Sequence, residues 1–234
     1  MYKTLLFDLD GTLLNLDIDR FLPIYFRALT TRFAHLMAPA EFIFHLMAST
    51  EAMINNKDQR LTNEEAFMLD FVPRISISRE ELMPILEDFY RHDFAKLADD
   101  TFFLPLAQKT VKNALEKGFE VVIATNPVFP RLAMEHRLHW AGLKDCPFRL
   151  VTTYENMHFC KPHIEYYKEI LTLIGREPAE CLMIGNDVQE DLVAGQIGIK
   201  TFLVKDCLIN RLPKDPVADY QGYLADLYRF IREL

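Results

Sequence analysis

Short apolar runs that end in polar residues recur along the chain and predict buried β-strands. Three of them cover residues 3–9, 120–124 and 181–184, and two more cover residues 149–152 and 200–204. None shows the clean alternation of a strand with one face in water. Strands that are apolar on both faces are typical of a parallel sheet with helices packed against each side.

Between these runs, apolar residues recur at helical spacing and glycines mark the helix ends. A glycine just beyond the last turn adopts the left-handed conformation without steric cost, so it is a reliable stop signal. The predicted helices cover residues 107–117, 130–140, 164–174 and 187–196, with a closing strand and helix after Asp219. Alternating strands and helices predict an α/β fold, a Rossmann-like doubly wound parallel sheet.

The segment from residue 17 to residue 98 has a different pattern, rich in Phe, Leu, Met and Ala and without glycine. Four helices are predicted, over residues 19–36, 39–56, 62–71 and 78–97. Thr62 with Glu65 and Ser78 with Glu81 have the spacing of capping boxes, which mark helix starts. Pro84 predicts a kink in the fourth helix or a later start.

Two domains follow from this change of pattern. Residues 1–16 and 99–234 are expected to form the α/β core, and residues 17–98 an inserted α-helical domain. Tyr25, Phe26, Phe33, Phe42 and Phe44 could form an apolar lid over a substrate, although most of them are expected in the helical core.

Composition and charge narrow the class of protein. The chain has 234 residues, of which half are hydrophobic, and its net charge is −8. An acidic chain with no basic run is poorly suited to nucleic acid or anionic membranes. No apolar stretch approaches the roughly 18 residues of a membrane span. With only four, unevenly spaced cysteines, we expect a cytoplasmic protein without disulfides, as a monomer or small homo-oligomer.

Polar residues follow four of the predicted strands. Asp8 and Asp10 come directly after the first, Thr125 and Asn126 after the second, and the last group comprises Asn186, Asp187 and Asp191. Lys161, followed by Pro162, stands at the remaining strand end. Ligands bind at the carboxyl ends of the strands in an open parallel sheet. Taken singly these residues are weak evidence, because a solvated strand end or an N-cap aspartate explains most of them.

Together and in this order, the motifs resemble the haloacid dehalogenase superfamily. That family has Asp-x-Asp-x-Thr after its first strand, then a Thr or Ser, a Lys, and an acidic motif after glycine. Here these stand as residues 8–12, Thr125, Lys161 and residues 185–187 with Asp191. The resemblance extends over essentially the whole chain and is greatest to the phosphoglycolate-phosphatase and phosphomutase-like branch. That branch has a helical cap, and the resemblance implies that residues 17–98 are the α-helical cap domain.

The resemblance implies a Mg²⁺-dependent phosphatase that acts on a small phosphorylated metabolite. Asp8 would be the nucleophile and Asp10 the general acid and base, while Thr125, Asn126 and Lys161 would bind the phosphoryl group. Mg²⁺ would be held by the Asp8 carboxylate, the Asp10 backbone carbonyl and Asp187. Many members have Asp directly after the glycine of the last motif, whereas this chain has Asn186. We therefore expect Asn186 and Asp191 in the second shell of the metal or as alternative ligands.

Other activities of the same superfamily stay open. The dehalogenases typically lack the second carboxylate, so Asp10 favours a phosphatase or a phosphomutase. Nothing in the sequence separates those two. A non-catalytic binding protein with the same fold is a further alternative, which the complete motif set disfavours.

Overall fold

The computed structural model describes residues 2–213 and 217–234 and places a six-stranded sheet at their centre. The strands are β1 (Thr4–Phe7), β2 (Glu120–Ile123), β3 (Leu150–Val151), β4 (Cys181–Gly185), β5 (Lys200–Val204) and β6 (Tyr220–Gly222). Their order is β3-β2-β1-β4-β5-β6, and every pairing is parallel. The predicted α/β fold with a parallel sheet is confirmed.

Both faces of the sheet are covered, which explains why the strands lack alternation. Leu5 and Phe7 of β1 pack into the larger of two apolar clusters, and Leu6 between them packs into the smaller one. The helices of the core are α5 (Pro105–Glu116), α6 (Arg131–Trp140), α7 (Ile164–Ile174) and α8 (Leu224–Glu233). The buried apolar residues of α5, α6 and α8 belong to the larger cluster and those of α7 to the smaller.

Four helices are inserted between β1 and α5: α1 (Ile18–Phe33), α2 (Pro39–Ile54), α3 (Asn63–Ile75) and α4 (Arg79–Asp88). Both predicted capping boxes are present, at Thr62 and at Ser78. We refer to α1–α4 as the inserted helices. None of the helices in the described residues combines the length and apolar content that a bilayer crossing requires.

Two predicted helices differ from the structure. The fourth inserted helix starts at Arg79 and contains Pro84, but beyond Asp88 it becomes a π-helical turn (Phe89–Asp93) and then a 3₁₀ turn (Phe94–Leu97). The predicted helix over residues 187–196 was wrong. Its first part is a turn, because Asp187 accepts hydrogen bonds from the backbone N–H groups of Gln189 and Glu190. A 3₁₀ helix over Leu192–Ile197 follows.

The start of α3 is joined to the core by hydrogen bonds. The backbone N–H groups of Asn63 and Glu64 donate to the carbonyls of Met157 and Tyr154, both at 2.8 Å. These are orphan donors of the first helical turn, which otherwise need a cap or water. The buried Asn63 side chain also donates to the carbonyls of residues 127 and 159, at 3.4 and 3.3 Å. We call these contacts the α3 latch.

Candidate active site

The turn after β1 places two aspartates at the carboxyl edge of the sheet. Asp8 continues the ladder by donating its backbone N–H to Ile184 O, at 2.8 Å. The chain then turns at Gly11, whose φ of 75° is a left-handed conformation that favours glycine. A Cβ atom at Gly11 would also overlap the side chain of Asn186. This position therefore needs glycine for two reasons, and the turn directs Asp10 back over the sheet edge.

Lys161 forms a buried ion triad with two carboxylates. Its Nζ donates to Asp8 Oδ1 at 2.9 Å and to Asp191 Oδ1 at 2.6 Å, and its side chain is fully buried. Burial opposes the lysine charge, but Asp191 and Asp8 outweigh it and raise the pKa of Lys161 well above its usual value. The Lys161 side chain is consequently a fixed positive charge directly beside one oxygen of Asp8.

Thr125 and Asn126 follow β2, which pairs with β1, the strand before Asp8. The carbonyl of buried Thr125 accepts hydrogen bonds from the Thr152 and Tyr166 hydroxyls, at 2.8 and 2.7 Å. Asn126 Oδ1 accepts from the backbone N–H of Lys161, at 3.2 Å. The Asn126 side chain therefore joins the loop after β2 to the loop that carries Lys161.

The motif after β4 brings Asn186, Asp187 and Asp191 to the same edge, but in different settings. The Asn186 side chain accepts from Thr12 Oγ1 at 3.0 Å and donates to Cys207 O at 2.6 Å, so it braces the turn after β1. Asp187 Oδ2 pairs with Arg211 Nη1 at 2.7 Å. Asp191 is buried, and its Oδ2 accepts from the backbone N–H of Asp187 at 2.9 Å.

Most of the predicted residues face one cavity of about 440 Å³. Its walls include Asp8, Asp10, Thr125, Asn126, Asn186 and Asp187. Lys161 and Asp191 are buried and do not line it. The structure thus brings the four motifs together, with Lys161 and Asp191 supporting the cavity wall from behind. The chemical role of each residue stays a prediction.

Sequence reasoning missed the buried Arg137 of α6. Its side chain is only 2% exposed and is paired with Asp10 Oδ2. The guanidinium carbon also lies 5.0 Å from the centroid of the Phe129 ring. Burial lowers the pKa of Arg137 to about 10, and the charge of Asp8 opposes this shift. At that value the guanidinium stays charged near neutral pH.

A signal for Arg137 was available in the sequence. It lies three residues after Met134 and four after Ala133, on the buried face of α6. An arginine on the apolar face of a helix is almost never fully buried unless it is paired. Glu190 was missed as well: it lines the cavity, accepts from Asn126 Nδ2 at 3.2 Å, and burial raises the pKa of its carboxyl.

The donor atoms at this cavity suit a magnesium ion better than a transition metal. Among residues 2–213 and 217–234, no three His, Cys, Asp or Glu side chains cluster as a ready metal site. Mg²⁺ needs less, since proteins usually bind it through one or two carboxylates together with substrate phosphate and water. Asp8 and Asp187 supply two carboxylates on one cavity, and buried Asp10 Oδ1 has no hydrogen-bond partner in the structure.

Comparisons with known proteins agree with this arrangement. A family model described as haloacid dehalogenase-like hydrolase matches residues 2–197. The pyrophosphatase PpaX of Bacillus cereus (strain AH820) is 26% identical over 97% of this chain and 98% of its own length.

Two solved structures show the same fold across almost the whole chain. The putative HAD-hydrolase YfnB from Bacillus subtilis, described as bound to magnesium, has a TM-score of 0.60 at 22% identity and covers 99% of each chain. A 2-haloacid dehalogenase from Pseudomonas syringae pv. Tomato DC3000 has a TM-score of 0.67 at 16% identity, covering 100% of this chain and 99% of its own. With the family model matching most of its length, the chain belongs to the haloacid dehalogenase-like hydrolases.

Proposed function

We propose that this hydrolase is a Mg²⁺-dependent phosphatase that cleaves a small phosphorylated metabolite through an aspartyl-phosphate on Asp8. One observation carries the proposal: the cavity presents Asp8, held by Lys161, together with a second carboxylate, Asp10, held by Arg137. Hydrolysis in two steps needs a nucleophile that stays ionised and a separate group that transfers protons. Asp8 and Asp10 supply two separate carboxylates for these tasks, and each is held by a different cation.

Asp8 is the nucleophile in this proposal. Lys161 occupies Oδ1, so the other carboxylate oxygen can attack phosphorus in line with the leaving alcohol. The lysine charge also offsets repulsion between the aspartate and the anionic substrate, which is the main obstacle to such an attack. The Thr125 hydroxyl and backbone N–H groups near Asn126 would bind the phosphoryl oxygens.

Asp10 is the proton-transfer group in this proposal. It would protonate the leaving alcohol in the first step and take a proton from water in the second. Arg137 binds one oxygen of Asp10 and orients the carboxylate while the other oxygen, Oδ1, keeps no partner.

Magnesium would neutralise charge between Asp8 and the substrate phosphate when it is bound. The ion would be held by Asp8, the Asp10 backbone carbonyl and Asp187. The ion pair between Arg211 and Asp187 would open when the metal binds. Asn186 and Asp191 would act indirectly. Asn186 braces the turn after β1, and Asp191 fixes both Lys161 and the backbone of Asp187.

Two other reactions compete with this proposal. The PpaX relatives are pyrophosphatases, so inorganic pyrophosphate is a candidate substrate. The likeness to a 2-haloacid dehalogenase makes carbon–halogen hydrolysis the second. That reaction uses neither a second carboxylate nor Mg²⁺, and the paired Asp10 therefore favours phosphoryl transfer.

The test is release of phenol from phenyl phosphate with and without Mg²⁺, using Asp8→Asn as the matched control. We expect turnover that requires the metal and is lost in the variant, because an amide cannot form the acyl-phosphate. Pyrophosphate and 2-chloropropionate are assayed in parallel. Halide release without Mg²⁺, or phenol release equal to that of Asp8→Asn, would refute the phosphatase.

A further inference from the structure

A second cavity adjoins the catalytic one and differs from it in chemistry. Its volume is about 180 Å³, and it lies between the inserted helices and the loop after β2. Ile18 at the start of α1, Val128 and Phe129 line both cavities. Because they share these wall residues, the two cavities lie side by side, and a substrate with its phosphate at Asp8 would have to pass these residues to enter the second one.

The lining of the second cavity is apolar and uncharged. Leu22, Phe26 and Leu29 come from α1, Leu46 from α2, and Phe67 and Phe71 from α3. No residue with a formal charge lines it among the described residues. The catalytic cavity differs from it, because its walls include five aspartates, a glutamate and two arginines.

The few polar groups of this cavity leave it neutral. The hydroxyls of Tyr25 and Tyr90 bind each other at 2.7 Å. Burial raises the pKa of Tyr25 to about 12 and that of Tyr90 in the same direction. The Thr50 hydroxyl donates within its own helix, to Leu46 O at 2.8 Å. A charged group entering this space would lose its water and find only neutral hydroxyls as partners.

We propose that this cavity receives the leaving group of the substrate, and that the substrate is a phosphomonoester of an apolar alcohol about the size of one aromatic ring. The size follows from the volume, since an apolar cavity of about 150 Å³ is known to bind benzene. This inference rests on the proposed phosphatase function. It disfavours inorganic pyrophosphate, whose leaving group is itself a charged phosphate.

Benzyl phosphate and methyl phosphate are a matched pair for the test, because their alcohols have nearly the same acidity. We expect kcat/KM with Mg²⁺ to be about 100-fold higher for benzyl phosphate, since burying one aromatic side chain fully is worth up to about 3 kcal/mol. Equal values for the two esters would overturn the inference and leave the phosphatase intact.

Substitution of a residue that lines the apolar cavity is the second test. Leu22→Trp fills the cavity, and Ile24→Trp adds the same side chain to α1 at a position that is 56% exposed and does not line the cavity. The benzyl-to-methyl ratio of kcat/KM is expected to fall below about tenfold in Leu22→Trp and to stay at the wild-type value in Ile24→Trp. Equal ratios in the two variants would contradict the proposal.

Measurements of ligand affinity test this inference independently of catalysis. Benzylphosphonate and methylphosphonate are not hydrolysed, and their dissociation constants can be measured by calorimetry with Mg²⁺ even if no ester is cleaved. Tighter binding of benzylphosphonate to the wild type, weakened by Leu22→Trp alone, supports the cavity assignment. Equal affinities would mean that the space is only a gap in the packing. Failure to hydrolyse any phosphate ester would count against the phosphatase and not against the cavity.

Discussion

Each aspartate of the first motif is balanced by a buried cation from a distant part of the chain. Asp8 has Lys161 and Asp10 has Arg137. Removing one partner of a buried pair leaves the other charge without compensation and typically costs about 3–5 kcal/mol. The two cations are therefore as much a part of the site as the aspartates that they hold.

Arg137→Met tests the assignment of Arg137 as a positioning residue. We expect kcat to fall by about 10²-fold, the lower range for a lost acid–base contribution, because Asp10 is no longer oriented. The pH profile of kcat should also shift to higher pH, because the Asp10 carboxylate loses its cationic partner in this variant.

Arg131→Met is the control for Arg137→Met, since Arg131 lies on the same helix with a side chain that is 78% exposed. Arg137→Lys should recover part of the rate by restoring a positive charge. An unchanged pH profile in Arg137→Met would show that the arginine has only a structural role.

The residues of the site differ in how far the sequence could reveal them. Asp8, Thr125 and Asp187 follow strands at motif spacing, so their place at one sheet edge could be predicted. The partners of Asp10 and Asn186 could not, because those pairings join residues 127 and 174 positions apart and depend on the packing of α6 and of the turn after β1.

At the scale of elements, the absence of glycine from the inserted helices has a measurable cost. α3 ends at Ser76, which adopts φ 56° and ψ 29°, a left-handed conformation at a position where glycine is usual. Ser76→Gly is expected to raise the free energy of unfolding by about 0.5–1 kcal/mol, the strain of a side chain in that conformation less the added freedom of the unfolded chain.

Chemical denaturation measures this effect, with Ser76→Ala as the control. Alanine keeps the Cβ atom that causes the strain, so no gain is expected from it. A stabilisation by alanine equal to that by glycine would show that the serine hydroxyl, and not the backbone conformation, is responsible.

Element prediction succeeded where local signals decide the structure and failed where tertiary contacts do. The capping boxes at Thr62 and Ser78 fixed two helix starts. The helix predicted over residues 187–196 had a suitable apolar pattern, but buried Asp191 is bound to Lys161 and to the backbone of Asp187. The contact with Lys161, which is 30 residues away, is one that no local pattern announces, whereas the hydrogen bonds of Asp187 lie within the segment.

At the scale of the whole molecule, metal binding should be visible as stability. A ligand that binds only the folded state adds about 2.7 kcal/mol when present at a hundred times its dissociation constant. We expect Mg²⁺ to raise the thermal midpoint of the wild type and to raise it less in Asp187→Asn. Asp206→Asn is a control at an acidic residue outside the cavity walls. An equal rise in all three proteins would exclude Asp187 as a ligand.

The α3 latch implies energetic coupling between the two cavities. Asn63 starts a helix that lines the apolar cavity through Phe67, and its side chain binds the loop after Thr125 and the loop before Lys161. A ligand under the inserted helices and an anion at the catalytic edge would then stabilise the same contacts. Linkage requires such an effect to be reciprocal: if benzyl alcohol tightens inorganic phosphate binding by some factor, phosphate must tighten benzyl alcohol binding equally. Asn63→Ala should reduce both factors together.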